Sequence, residues 1–310
     1  MLLIAVPTGI IVTGVVAALV VAFLRSRRYP EKNFANALIN TILIPLRHFR
    51  VGPYVDGPLD LDKSLQTAMK RAKLSDYGDL NFVKFYRTVM NSENFKSQKL
   101  TNLGYISAKL ELEITWIRRL KFLNYLKNYP DVLKVPVRSP VFVTGLPRTG
   151  TTLLHRLLSL DPLCRAPLLW ELVNPVPITG PSATQEEKKK DLFKRAEHIR
   201  KLIDKRKSMG DRALVHIHEV EYNLPEECLM AMTDEVPIHM QFLYSNYMME
   251  KEFLEIPMFQ AYRYYRKMLQ LLSFQQDDAA DPKRWVLKCP MHLFYTKELA
   301  AAFPDAKLIW

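Results

Sequence analysis

The stretch Val141-Phe-Val-Thr-Gly145-Leu-Pro-Arg148-Thr-Gly150-Thr151-Thr152-Leu-Leu-His decides the fold. Three apolar residues, Val141 to Val143, predict a short strand. A Gly-containing turn follows, and a helical pattern opens at Gly150. That order aims backbone N–H groups and the positive end of a helix dipole at one spot, which suits a phosphate or sulfate. Gly145 and Gly150 keep the four-residue gap of a P-loop. Thr151, however, stands where the loop lysine belongs, and a cation lies inside the turn instead, as Arg148. The pattern predicts phosphate binding without ordinary ATPase or kinase chemistry.

The chain on either side supports an α/β reading. Downstream, a helix is expected to Leu160, then a loop through Trp170 and Pro181. A charged helix follows over Gln185–Lys207, with further helices near Leu224–Met232 and Pro257–Phe274. A strand at Arg284–Lys288, a helix at Met291–Phe303 and a strand from Ala306 close the sequence. Such alternation argues for a parallel sheet flanked by helices. Upstream, Leu61–Leu74, Leu80–Met90 and Leu103–Tyr129 read as helices. In the last, Leu103, Ile106, Leu110, Ile114, Ile117 and Leu120 recur every three or four residues, predicting one buried face. Pro130 and Pro136 end this helical region. Three regions are expected: an anchor at 1–24, a membrane-proximal helical region at 25–135 and the α/β domain at 136–310.

Further motifs accompany the turn. Pro147-Arg148-Thr149-Gly150-Thr151-Thr152 resembles the 5′-phosphosulfate loop of sulfotransferases, which use 3′-phosphoadenosine 5′-phosphosulfate (PAPS). Pro225-Glu226-Glu227-Cys228, Trp285-Val-Leu-Lys288-Cys-Pro290-Met-His292-Leu293 and Phe303-Pro304-Asp305-Ala306 follow in that family's order. The resemblance implies a P-loop NTPase-like domain that moves a sulfuryl group from PAPS to a hydroxyl or amine, with no metal. It implies that Arg148 grips the sulfuryl group, its planar fork bonding two oxygens, while Thr149, Gly150, Thr151 and Thr152 hold the donor. Lys288, at the carboxyl end of a strand where ligands gather in open α/β sheets, is expected to assist the transferring group. Glu171, 23 positions after Arg148, is the expected base. His218 and His292 are alternatives for that role or for binding the acceptor. In the family the last strand runs on into a basic segment that holds the donor's 3′-phosphate; no residues here match it.

The remaining features narrow the setting. Of the 310 residues, 48% are hydrophobic and 25% charged, which excludes a disordered chain and one wholly embedded in a bilayer. The formal charge of +12 comes without a nucleic-acid module, so a solvated basic surface or attraction of an anionic donor explains it. Met1 to Leu24 carries no charged side chain and is long enough to span a bilayer core, which takes about 20 apolar residues. Arg25, Arg27 and Arg28 follow it, and the positive-inside rule then puts the body of a single-pass endoplasmic-reticulum or Golgi protein in the cytosol. Cys164, Cys228 and Cys289 form no disulfide framework. His216 and His218 lack the spacing of a zinc site. The anchor suggests a small hydroxyl-bearing molecule or a lipid as acceptor. The rival readings are a catalytically silent, membrane-tethered nucleotide-binding or interaction protein, and a P-loop kinase.

Overall fold

The computed structural model describes Val21 and residues 36–42, 59–91, 100–208, 219–237, 258–276 and 282–310. Among them no helix is long and apolar enough to cross a membrane. The expected anchor, Met1–Leu24, lies outside the described residues except for Val21. The described residues divide between two compact units made of non-contiguous segments: those within 1–60, 99–111 and 202–219 in one; those within 61–98, 112–201 and 220–310 in the other. In the smaller unit residues 36–42 are helical. There the Asn40 side chain accepts a hydrogen bond from the Leu103 N–H (2.8 Å), and the Asn40 carbonyl accepts one from the Asn102 amide (3.0 Å).

The larger unit is the α/β body. The elements run α1 (Leu61–Ala72), α2 (Asn81–Asn91), α3 (Asn102–Asn128), β1 (Val141–Val143), α4 (Thr151–Leu158) and β2 (Cys164–Arg165). They continue with α5 (Leu169–Val173), α6 (Gln185–Ser208), α7 (Leu229–Met232), α8 (Met258–Phe274), β3 (Arg284–Lys288), α9 (Thr296–Ala302) and β4 (Lys307–Ile309). The strands form one parallel sheet in the order β2-β3-β1-β4. In β3 every residue after Arg284 is buried, as expected of a parallel strand covered on both faces. The core is completed by α8, which buries Tyr262, Tyr264, Tyr265, Met268, Leu269 and Leu272 against Phe142, Leu287 and Phe303.

Several expected elements take a different form. The helix expected near Leu224–Met232 occupies only Leu229–Met232. The one expected at Met291–Phe303 divides into a 3-10 turn at Pro290–Phe294 and α9. The segment expected to be a loop contains β2 and α5.

The buried face of α3 also departs from the apolar stripe. Ile114 is 49% exposed, whereas Leu112, Glu113, Trp116 and Arg119 are buried. Burial of the charged members is compensated by partners. Glu113 accepts from Arg71 at 2.7 Å, and Arg119 pairs with Glu235 at 2.5 Å. Trp116 lies in an aromatic cluster with Phe82 and Tyr86, ring centroids 5.1 and 4.6 Å away. Periodicity of apolar residues alone cannot register a helix face that is buried through ion pairs.

Candidate active site

Register builds the site. Val143, the last residue of β1, stands opposite Lys288, the last residue of β3. The chain leaves both strands at one edge of the sheet, and side-chain bonds tie the two exits together. The Thr144 hydroxyl donates to the Cys289 carbonyl at 3.1 Å, and the Cys289 N–H reaches the Val143 carbonyl at 3.3 Å.

Beyond Thr144 the backbone needs unusual dihedrals. Gly145 has φ 155°, Arg148 φ 70° and Gly150 φ 89°. Positive φ comes readily to glycine but strains arginine. The Thr149 hydroxyl bonds back to the Leu146 carbonyl at 2.7 Å and closes the turn. Gly150 then caps α4 with no side chain covering the first-turn N–H groups. Such an uncapped helix start presents donors to an anion. Arg148 and Thr149 are exposed, and Thr151 and Thr152 are half-buried.

Lys288 is the second cation. Its side chain is only 2% exposed, and its ammonium donates to the Thr152 hydroxyl (3.2 Å) and to the carboxylate of Glu227. Glu227 is fixed in turn by its neighbours. Its N–H bonds the Glu226 side chain at 2.7 Å, and the Cys228 N–H donates to the Lys288 carbonyl at 3.0 Å. The Pro-Glu-Glu-Cys segment is thereby tied to the end of β3. The sequence places Glu227 within a helix expected near Leu224–Met232; the structure leaves it ahead of α7 and gives it an ion pair with Lys288 at the end of β3. No local pattern signals this, because the pair spans 61 positions.

Glu171 is placed otherwise. One of its oxygens takes a 2.6 Å ion pair from Arg165, and the other accepts the Leu168 N–H at 2.9 Å, closing the first turn of α5. The Arg165 guanidinium lies 4.3 Å from the ring centroid of Trp285, three residues before Lys288 on β3. Both carboxylate oxygens are therefore engaged by scaffold groups, and among the described ion pairs the partner of Lys288 is Glu227.

Two histidines lie beneath the site, fully buried. His155 Nε2 sits 3.0 Å from the Val286 carbonyl. Burial, with the nearby Lys288 charge assisting against the Val286 bond, holds its pKa down at about 4. His292 Nδ1 sits 2.9 Å from the Tyr262 hydroxyl, and its ring meets Phe142 edge-on at 5.0 Å. Burial and then Lys288 push its pKa down to about 3. Both imidazoles are neutral packing groups. His216 and His218 lie outside the described residues, among which no cluster of His, Cys, Asp or Glu could hold a metal ion.

A parallel sheet, a glycine-bracketed turn opening an uncapped helix, one cation in that turn and a second reaching the helix from β3 define a P-loop-type arrangement with donors set for an anion. Residues 140–310 match the model of the sulfotransferase family, and the chain belongs to that family. Two crystal structures, those of sulfotransferase STF1 from Mycobacterium tuberculosis and sulfotransferase STF9 from Mycobacterium avium, are similar to it at 26% identity, with TM-scores of 0.59 and 0.65. The likeness covers 80% and 82% of this chain but 66% and 63% of those two, so the chain spans just under two thirds of their length. No curated protein matches it.

Proposed function

We propose that this chain binds PAPS at the turn 145–152 and catalyses transfer of the sulfuryl group to a hydroxyl-bearing small molecule or lipid. The observation that carries the reading is the contact of the buried Lys288 ammonium with Thr152, which brings a cation from β3 onto the first turn of the loop helix. PAPS would supply an activated sulfuryl group on a phosphate leaving oxygen. The first-turn N–H groups of α4 and the hydroxyls of Thr151 and Thr152 would cradle the 5′-phosphate, while the Thr149 hydroxyl holds the turn closed through the Leu146 carbonyl. Arg148 would close over the sulfuryl oxygens, and Lys288 would face the oxygen on which charge accumulates. Donors fixed before the reaction stabilise such charge without reorganising. A membrane anchor at Met1–Leu24, with the body of the protein on the cytosolic side, completes the proposal and rests on the sequence alone.

Titration calorimetry with 3′-phosphoadenosine 5′-phosphate (PAP) and with ATP tests it. PAP is expected to bind the chain more tightly than ATP, and Arg148→Ala to weaken PAP. Equal affinity of the Arg148 variant and the unaltered chain would refute the donor site.

A further inference from the structure

Sulfuryl transfer to a hydroxyl releases a proton, and among the described residues few groups at this edge of the sheet are able to take it. Arg148 and Lys288 are cations. His155 and His292 are fully buried, so no acceptor reaches their rings. Glu171 is 7% exposed and gives both oxygens to Arg165 and Leu168. The side chain of Glu227, by contrast, is 22% exposed while its Oε1 holds Lys288. It combines a carboxylate, access from solvent and a fixed distance from the loop.

The anchorage supports the same choice. An ammonium has three N–H donors. Those of Lys288 reach both Thr152 and Glu227, which sets the Glu227 carboxylate beside the first turn of the loop helix. A sulfuryl group held at the uncapped first turn of α4 would lie close to that carboxylate. The bond from Cys228 N–H to the Lys288 carbonyl keeps the carboxylate from drifting as the ligand enters.

We infer that Glu227 is the proton acceptor of the transfer, on the proposed reading of the loop as a PAPS site. The acceptor oxygen forms its bond to sulfur as the bond from sulfur to the 5′-phosphate oxygen breaks. The acceptor's proton passes to a Glu227 oxygen, and the departing electron pair stays on the phosphate oxygen facing Lys288. Sulfate ester and PAP leave, and Glu227 then loses its proton to water. No oxidant or metal is needed.

The test uses the full chain, radiolabelled PAPS, and 2-naphthol, the more acidic 4-nitrophenol and water as acceptors, with PAP affinity measured in parallel. Glu227→Gln is expected to lower kcat toward 2-naphthol by about 10²–10⁴-fold. The loss should be smaller toward 4-nitrophenol, which sheds its proton more readily. PAP affinity should hold or rise, because a negative charge leaves the site. Glu227→Asp keeps the charge opposite Lys288 but withdraws it by one methylene, so it should melt like the unaltered chain and show an intermediate kcat.

A kcat toward 2-naphthol within a few fold of the unaltered chain in either variant overturns the assignment. So does an equal loss on both phenols accompanied by loss of PAP binding. An unaltered chain that binds PAP yet transfers to none of the three acceptors overturns it too. Failure of the unaltered chain to bind PAP would instead refute the donor site itself.

Discussion

Val143 and Lys288 face each other across β1 and β3, so the residue that precedes the loop and the buried cation that serves it are fixed by a single strand register. A slip by one residue would turn the Lys288 side chain to the other face of the sheet. The position of this cation is thus a property of the strand pairing rather than of any flexible loop.

Lys288→Met keeps the length of the side chain and removes its charge. We expect kcat to fall by about 10²–10³-fold, the scale seen when one preorganised oxyanion donor is lost. Transfer of label from PAPS to 2-naphthol measures the loss. Activity close to that of the unaltered chain would show that Lys288 only packs.

The strand, turn and helix were legible in the sequence because each rests on local chemistry: an apolar run, glycines at strained dihedrals, and a helix opening after Gly150. Arg148 and Lys288 were readable as cations for the same reason. The partner of Lys288 was not, since the pairing with Glu227 arises only when the Pro-Glu-Glu-Cys segment docks on β3. Glu171 was singled out by its spacing from Arg148, but its environment depends on β2, a two-residue strand with no periodicity to detect. The stripe on α3 misled at Ile114 because ion pairs bury the neighbouring face.

Arg148 occupies a left-handed conformation at φ 70°, which costs a non-glycine residue roughly 1–2 kcal/mol. Arg148→Gly should therefore keep or raise stability, by about 1 kcal/mol in urea unfolding, while PAP binding weakens at least about tenfold for want of a charged fork. Loss of both stability and binding would point to a structural role for the guanidinium.

A methyl group at Gly145 would be tight and would sit on a backbone conformation that L residues rarely adopt. A Cβ there would stand 3.2 Å from Thr151 Cγ2 and 3.3 Å from Thr149 Oγ1, at a φ of 155°. Gly145→Ala should cost about 1–3 kcal/mol of stability and weaken PAP, as followed by thermal melting with and without the nucleotide. A variant that melts and binds normally would mean that the turn adapts freely.

The buried histidines set an acid limit. Their folded pKa values, about 4 for His155 and about 3 for His292, lie below the ordinary 6.5. Below pH 6.5 the unfolded chain binds protons that the folded chain refuses, so stability falls as pH drops. Each histidine adds a slope of up to about 1.4 kcal/mol per pH unit. The loss runs from about pH 6.5 down to about 4 for His155 and to about 3 for His292. Urea midpoints measured across this range should fall, and His292→Gln should flatten the fall.

The Arg165–Glu171 pair is mostly buried, with side chains 13% and 9% exposed. Glu171→Ala should destabilise the fold by about 3 kcal/mol, because it leaves a buried guanidinium without its partner. Replacing both residues with apolar ones should cost less than that. If Glu171→Ala melted normally, the pair would not anchor α5.

Arg119 works as a clasp. Its guanidinium bonds the carbonyls of Tyr77, Asp79 and Asp234 and the carboxylate of Glu235, and lies 4.1 Å from the ring centroid of Phe82. A shortened chain starting at Pro140, where the family match begins, would lose Arg119 together with Tyr77, Asp79 and Phe82, and would leave Asp234 and Glu235 beside α7 without that cation in an apolar setting. The part of the helices ahead of the sheet that lies in the larger unit is in this sense a built-in chaperone for the half that matches the family, and the two should melt in one step.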